Sequence, residues 1–410
     1  MTEWRFTRLE DIASNEKSAI SKPYGSAILK DDYRSTGVPV VRGVNLARGL
    51  FHDDDFVFVS PKLADKMPGA NLAAGDLVFT HRGTIGQVSM IPRSPRYDRY
   101  VASTSHVKVR LDPARTAAEF YYYWFQSTAG RESILVHSSS VGVPGIAQPV
   151  SAIKSLLVPL PPLSVQRSVA QILGAIDSKI DANNRSVDLL VELADSRFTQ
   201  ASILALRDGP VIFDEVASVG GGGTPKTSVP DYWGGRIQWA TPTDVTNLRA
   251  PYLSRTARNI TDGGLVACSS PLYPTGSILM TSRATIGAFA INQVPVAVNQ
   301  GFIVVNARNP ANQWWLYHEM RARVDEFLNH ANGATFLELP RRKFRSMTMQ
   351  TPTGEHARSF AARVGPLHEM AAQLMKESEI LASTRDELLP ALLSGQIRVR
   401  DAELVVEEVV

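Results

Sequence analysis

The chain has 410 residues and one cysteine, Cys268. A single thiol excludes a disulfide framework and any zinc site built from clustered cysteines, and it suits a reducing compartment. No apolar run reaches the roughly 18 residues that a membrane-spanning helix requires. The opening MTEWRFTRLEDIA has no apolar stretch of the kind that marks a secretion signal. Together these absences predict a cytoplasmic protein with no membrane partner.

Catalytic signatures are equally scarce. There is no Gly-Lys pair, hence no G-x-x-x-x-G-K-[ST] phosphate loop, and there is no G-x-G-x-x-G fingerprint. The run Gly220-Gly221-Gly222-Gly223-Thr224-Pro225-Lys226 lacks phosphate-loop spacing. A flexible loop passing near a nucleic-acid backbone is the better reading, because bare amides and Lys226 suit a phosphate. His318-Glu319 and His368-Glu369 have no second histidine at metalloprotease spacing, so no zinc site is expected. The eight histidines are scattered, as surface or satisfied core residues would be. Pro230-Asp231 is not followed by Glu-x-Lys, and no Asn- or Asp-Pro-Pro-aromatic run is present, so nuclease and adenine-methylation chemistry are both missing. This favours a binding protein over an enzyme, with no catalytic and no metal-ligating residue assigned.

What the chain does have is a repeat. GDLVFTHRGTIG at 75–86 returns as GSILMTSRATIG at 276–287, with Gly, Thr, Arg, Thr, Ile and Gly identical. Each copy is followed by a second strand-like run, YVASTSHVKVRL at 100–111 and VAVNQGFIVVNA at 296–307. Then come an aromatic cluster (121–125 and 314–317), a glycine-containing loop (VGVPGIA at 141–147 and GATFLEL at 333–339), and a short strand with a proline exit. In the latter part the offset is a constant 191 residues: Gly142 to Gly333, Ile153 to Phe344, Pro161 to Pro352. Matches in fixed order indicate two copies of one domain. An apolar content of 44% is ample for two cores.

A helical segment follows each copy. After PLPPL, Ser164 is a suitable N-cap, and apolar residues recur at Leu173, Ile176, Ile180, Val187, Leu190 and Ala194 in the three–four step of a coiled-coil seam. Asn183 sits in the seam and could set register. The segment is expected to end at Asp208-Gly209-Pro210, giving a helix of roughly 40 residues and about 60 Å. The second segment carries Leu367, Ala371, Leu374, Ser378, Leu381, Leu388 and Leu392. It is interrupted by Arg385, is expected to kink at Pro390, and is capped by Gly395. The expected fold is α+β: two homologous globular domains separated by two long antiparallel coiled-coil helices, with pseudo-twofold symmetry. The expected boundaries are 1–157 and 210–352 for the domains, 158–209 and 353–400 for the helices, and 401–410 for an acidic and apolar tail.

Polar and basic residues fall in the expected loops. The candidates are Arg34, Arg42, Asn45, Arg82 and Thr84 in the first domain, with His81 and the Arg93, Arg96, Arg99 series nearby. In the second they are Lys226, Arg236, Thr241, Asp244, Arg283, Thr285, Arg341 and Arg342, with Lys343 and Arg345. Arginine, asparagine and threonine read base edges, and arginine and lysine grip phosphates. A net charge of +3 permits such a partner. Duplication plus basic loops points to two half-sites read on one duplex.

Several stretches together resemble the specificity subunit of a type I restriction–modification system. They are DYRSTGVPVVRGVNL (32–46), GGTPKTSVPDYWGGRIQWATPTDV (222–245), the two T-x-R-x-T-I-G segments, VPLPPLSVQ (158–166) and ELLPALLSGQIRV (387–399). The first domain lacks the GGTP and YWGG forms, as expected when two domains read different sequences. The resemblance implies two target recognition domains on double-stranded DNA, with helices that set their spacing and dock two methyltransferase subunits. Restriction subunits join that core. S-adenosylmethionine, ATP and magnesium belong to those partners, with no cofactor in this chain. The alternative reading is a stand-alone sequence-specific DNA-binding protein. Within the repeat, Ile85 and Ile286 are expected in the core, Gly86 and Gly287 in tight turns, and Arg82 and Arg283 on DNA or in structural ion pairs.

Overall fold

The computed structural model describes residues 4–24, 27–139, 144–204, 207–333 and 337–407. The chain forms two compact units, one from residues 1–179 with 381–410, the other from 180–380. Each therefore takes one globular part and a stretch of both long helices.

The core of unit 1 is two four-stranded sheets. One has the order Ile20–Ser21, His106–Val109, Leu77–Thr80, Val88–Met90. The other has Val57–Val59, Val38–Val41, Tyr100–Ala102, Asn71–Leu72. Unit 2 repeats the plan with five strands, Ala217–Gly220, Phe302–Ala307, Ile278–Thr281, Phe289–Asn292 and Tyr252–Leu253, and with three, Asn259–Ile260, Trp233–Ala240 and Val296–Val298. Both units include parallel pairing: Val40 lies opposite Val101 in unit 1, and in unit 2 Trp239 lies opposite Ala297 and Tyr252 opposite Ile291. The strands at Leu77–Thr80 and Ile278–Thr281 are buried at every position, so their apolar runs reflect burial on both faces. The runs at 100–111 and 296–307 are not single strands. Each is two strands in different sheets, because the chain crosses between layers at Ser103–Ser105 and at Asn299–Gly301.

The first long helix, α1, spans Leu163–Leu204, and the second, α2, spans Gly354–Ser394. A short helix, α3, follows at Val399–Glu407 where a tail was expected. The seam is as anticipated, with Leu173, Ile176, Val187 and Ala194 buried on α1 and Ala371, Leu381, Leu388 and Leu392 on α2. Within unit 2 the helices run antiparallel: Val187 packs with Ala371, and Phe198 lies 6.0 Å from Phe360. Asn183 is buried in the seam, and its amide nitrogen has no hydrogen-bond partner among the described residues. Arg385 interrupts the apolar series because it bonds Asp177 of α1 at 2.7 Å.

Two expected helix ends are corrected. Ser164 is already inside α1, whose first residue is Leu163. Gly209 and Pro210 do not cap α1 but lie in a strand, Arg207–Ile212, that pairs with Thr348–Pro352 through a bulge, where Gly209 adopts φ +101°. Strand pairing outcompetes the Gly-Pro stop signal there. By contrast α2 runs through Pro390 and ends as expected, with Gly395 at φ +71°. The Gly142 match lies outside the described residues, as do parts of both glycine-containing loops and the last residues of the tail.

Candidate nucleic-acid interface

The duplicated segment is a strand followed by a turn, and it is built alike in both units. Past Thr80 the chain turns at His81 to Gly86, with Gly83 at φ +88° and Gly86 at +83°. Past Thr281 it turns at Ser282 to Gly287, with Ala284 at φ +60° and Gly287 at +86°. Gly287 is also required sterically, since a Cβ there would sit 2.6 Å from Val324. Ile286 is buried and Ile85 half-buried, so both anchor their turns. A second segment flanks each turn. In unit 1, Ile146 N–H donates to His81 O at 3.0 Å and Gly83 N–H to Pro144 O at 3.4 Å. In unit 2, Leu339 N–H donates to Ser282 O at 2.9 Å and Ala284 N–H to Leu337 O at 3.0 Å. Arg82 thereby pairs through its backbone with Gly145, and Arg283 with Glu338.

Four segments of unit 2 converge at this edge. Ser282 N–H donates to Gly301 O at 2.7 Å, and Thr224 Oγ1 donates to Gln300 Oε1 at 2.8 Å. The guanidinium of Arg341 lies over Gly221, where a Cβ would be 1.8 Å from its Nη2. The polar rim therefore gathers Lys226, Arg283, Thr285 and Arg341, all exposed. Arg341 and Arg342 also line a cavity of about 300 Å³ with Arg345 and Asp214, which are ion-paired at 2.7 Å. In unit 1 the corresponding rim carries Arg82 and Thr84, both exposed, and Arg82 makes no side-chain bond among the described residues.

The other candidates divide by what already holds them. Arg34 is exposed and donates to the carbonyls of Asp31 and Tyr33 at 2.7 and 2.9 Å. Arg42 is half-buried and donates to Asp55 O at 2.9 Å. Arg236 is 86% exposed, 3.8 Å from Asp262. Asn45 is not a surface reader: it is 1% exposed, accepts from Arg42 N–H and donates to Asp54 O at 2.7 Å, stitching its loop shut. Thr241 and Asp244 form a capping box instead, with Thr241 N–H and Oγ1 both donating to Asp244 Oδ2. The other Asp244 oxygen accepts from Ala257 N–H at 2.7 Å. In the arginine series, Arg93 pairs with Glu119 and Arg99 with Asp65. His81 is buried, and burial lowers its pKa.

The glycine run is not the flexible loop that its composition indicates. Tyr273 Oη donates to Gly221 O at 2.6 Å, Trp239 Nε1 to Gly223 O at 3.1 Å, and a Cβ on Gly222 would sit 1.8 Å from Val298 O. These glycines permit close packing, and the exposed part begins at Thr224 and Lys226. The YWGG segment is likewise a folding device: Trp233 and Trp239 meet at 5.1 Å, and the Arg258 guanidinium stacks 3.5 Å from the Trp233 ring. Sequence reasoning missed Glu338, since nothing in the repeat marks it: the residue in its place across the backbone bridge of the first turn is Gly145. Among the described residues no group of histidine, cysteine or carboxylate side chains could hold a metal ion, and no helix is long and apolar enough to cross a membrane.

Two double-layered units, each offering an arginine-bearing turn beside a polar rim and each joined to the same two helices, define a duplicated recognition scaffold. The model of the type I restriction modification DNA specificity domain matches residues 1–190 and 211–373, and the chain belongs to that family. Among curated relatives, the type I restriction enzyme MjaIX specificity subunit of Methanocaldococcus jannaschii is 34% identical over 176 residues, 42% of this chain and 41% of that protein. The chain therefore matches well under half the length of that relative. The putative MjaX specificity subunit of the same organism is 19% identical over 427 residues, covering 97% of this chain and 94% of that one. The crystal structure of a type I restriction–modification S subunit from M. genitalium shares the fold, with a TM-score of 0.61 at 15% identity, covering 96% of this chain and 99% of that chain.

Proposed function

We propose that this chain is the DNA-recognition subunit of a type I restriction–modification complex, and that each unit reads one half of a split site. The observation that supports this most directly is the pairing of two family copies with two exposed arginine-bearing turns of equal construction. Arg82 with Thr84, and Arg283 with Thr285, reach the duplex. Lys226, Arg341 and Arg342 meet phosphates beside the second turn, and Arg34, Arg42 and Arg236 extend the basic surface.

The helices set the number of unread base pairs between half-sites and dock two methyltransferase subunits, to which restriction subunits add. The chemistry belongs to those partners: S-adenosylmethionine supplies the methyl group, and ATP with magnesium serves cleavage. This chain contributes placement alone and works where the DNA is, in the cytoplasm. Inserting one helical turn, about 5.4 Å, in both helices should lengthen the unread gap by one or two base pairs at about 3.4 Å each.

The experiment is genome-wide adenine methylation in cells carrying the cognate methyltransferase, with and without this chain. A split motif that appears only with the chain supports the reading. Unchanged or absent methylation rejects it.

A further inference from the structure

The two turns differ in what faces the arginine. The residue facing Arg82 across the backbone bridge is Gly145, and the residue facing Arg283 is Glu338. Glu338 Oε1 holds Arg283 Nη2 at 2.9 Å, with the two side chains 42% and 44% exposed. The backbone beneath is also more constrained in unit 2. Ala284 takes φ +60°, a region costly for a residue with a Cβ, where unit 1 has Gly83. That conformation is held by the bond from Ala284 N–H to Leu337 O, the residue before Glu338. Glu338 is fixed in turn by paired backbone bonds with Asn332, both at 2.8 Å.

We propose that Glu338 is a positioning residue that makes Arg283 a guanine reader in the second half-site, while Arg82 grips the phosphate backbone. This rests on the DNA-recognition reading above. Three arguments carry it. One carboxylate contact leaves Arg283 four N–H donors, enough for the two-pronged bond to guanine O6 and N7. Holding the guanidinium in place before binding removes the rotamer entropy that a free arginine loses on docking. The carboxylate also cancels most of the guanidinium charge at a distance, so Arg283 gains little from phosphates and must gain from directed bonds. Arg82 is the reverse. Its charge is uncancelled among the described residues, and its turn is built on Gly83. It suits a contact that needs charge and little geometry.

The test uses the reconstituted complex with the methyltransferase. Methylation rates are measured on duplexes in which each base pair of the wild-type motif is replaced singly, and DNA affinity is measured against salt. Glu338→Gln and Arg283→Lys should each lower discrimination at one G·C pair of the second half-site by about 10-fold, leaving the first half-site as an internal control for folding. Arg82→Gln should leave the motif intact and reduce the log–log salt slope by about 1. The inference is overturned if Arg283→Lys relaxes a base pair while Glu338→Gln relaxes none, or if Arg82→Gln relaxes one. A wild-type complex with no split motif sinks the recognition reading itself, a distinct result.

Discussion

Tyr123 and His318 each sit on the aromatic helix of their unit and each bond an aspartate of α1, and they meet different chemistry. In unit 1, Tyr123 Oη donates to Asp177 of α1 at 2.7 Å, and Asp177 accepts from Arg385 of α2 at 2.7 Å. Burial and the neighbouring Asp177 carboxylate both hold the Tyr123 phenol in its neutral form. In unit 2 the helices are linked instead by a line of neutral side chains that ends on a carboxylate, Asp195, itself ion-paired with Arg321. His318 Nδ1 bonds Asp195 of α1 at 2.9 Å, His318 Nε2 meets His368 Nε2 of α2 at 3.0 Å, and His368 Nδ1 meets Tyr252 Oη at 2.8 Å. One arrangement of protons satisfies every bond: Tyr252 donates to His368, His368 to His318, and His318 to Asp195. The ring of Trp314 stacks on His368 at 4.2 Å, and Arg321 bonds Asp195 at 2.6 Å. Burial raises the Asp195 pKa, but His318 and Arg321 together hold it below the usual carboxylate range. One unit thus spans its two helices with a direct ion pair, the other with oriented hydrogen bonds through two neutral histidines onto a carboxylate, and the two should fail under different conditions.

The largest effect should come from breaking the neutral line. His368→Ala strands the buried Tyr252 hydroxyl and a His318 nitrogen and unstacks Trp314, so it should destabilise unit 2 by about 3 kcal/mol. Urea unfolding followed by tryptophan fluorescence measures this, and a loss below about 1 kcal/mol would show that the line is not holding the helices.

Acid should act next. Burial lowers the pKa of His318, and that of His368 to about 3, against a value near 6.5 once unfolded. Their neutral forms stabilise the fold above about pH 6.5, and that share is lost as pH falls below it. From pH 8 to 5.5 the cost from His368 should be about 1.4 kcal/mol, with His318 adding to it in the same direction. Unit 1 has its own buried histidines, His81 and His106, the latter lowered by burial to about 4, so both units weaken in acid. His368→Phe separates them: it should remove one histidine's share of the acid loss from unit 2 and none from unit 1.

Salt is the matching probe for unit 1. Asp177→Asn leaves Arg385 without its charged partner across the helices, at side-chain exposures of 25% and 30%. The expected cost is about 2 kcal/mol at low ionic strength, shrinking as salt rises. A cost unaffected by salt would count against charge as the tie. The smallest effect should be at Asp188, whose pair with Arg249 of unit 2 is about half exposed on both sides. Asp188→Asn should cost about 0.5 kcal/mol in urea unfolding, and a cost near that of Asp177→Asn would mean the exposure difference is not what separates them.

Much of this was legible beforehand. Heptad spacing located both long helices, and Arg385 was already visible as a break in the seam. The repeated T-x-R-x-T-I-G segment marked the turn, its glycines and its anchoring isoleucine. The misreadings have physical causes. Gly209-Pro210 looked like a helix stop because local signals omit a strand partner some 140 residues away at Thr348–Pro352. The glycine run looked flexible because composition does not show that Tyr273, Val298 and Arg341 fill the space that side chains would take. Asn45, Thr241 and Asp244 are residue types that read bases and also types that close loops and cap helices, and only their bonds distinguish the two uses. The shift of offset away from 191 residues on the N-terminal side of each repeat comes from loops of unequal length, which pattern matching tolerates poorly.

By itself the sequence determined the duplication, the two long helices and the turn that carries Arg82 and Arg283, because periodicity and repetition are local properties of the chain. Tertiary structure decided which of those arginines is held by a carboxylate among the described residues, and whether the two helices are spanned by a direct ion pair or through neutral histidines. Those outcomes depend on partners far off in sequence: Glu338 for Arg283, Asp177 for Arg385, His368 for His318. A residue's type sets what bonds it can make. Only the packing of distant segments sets which bonds are left for DNA.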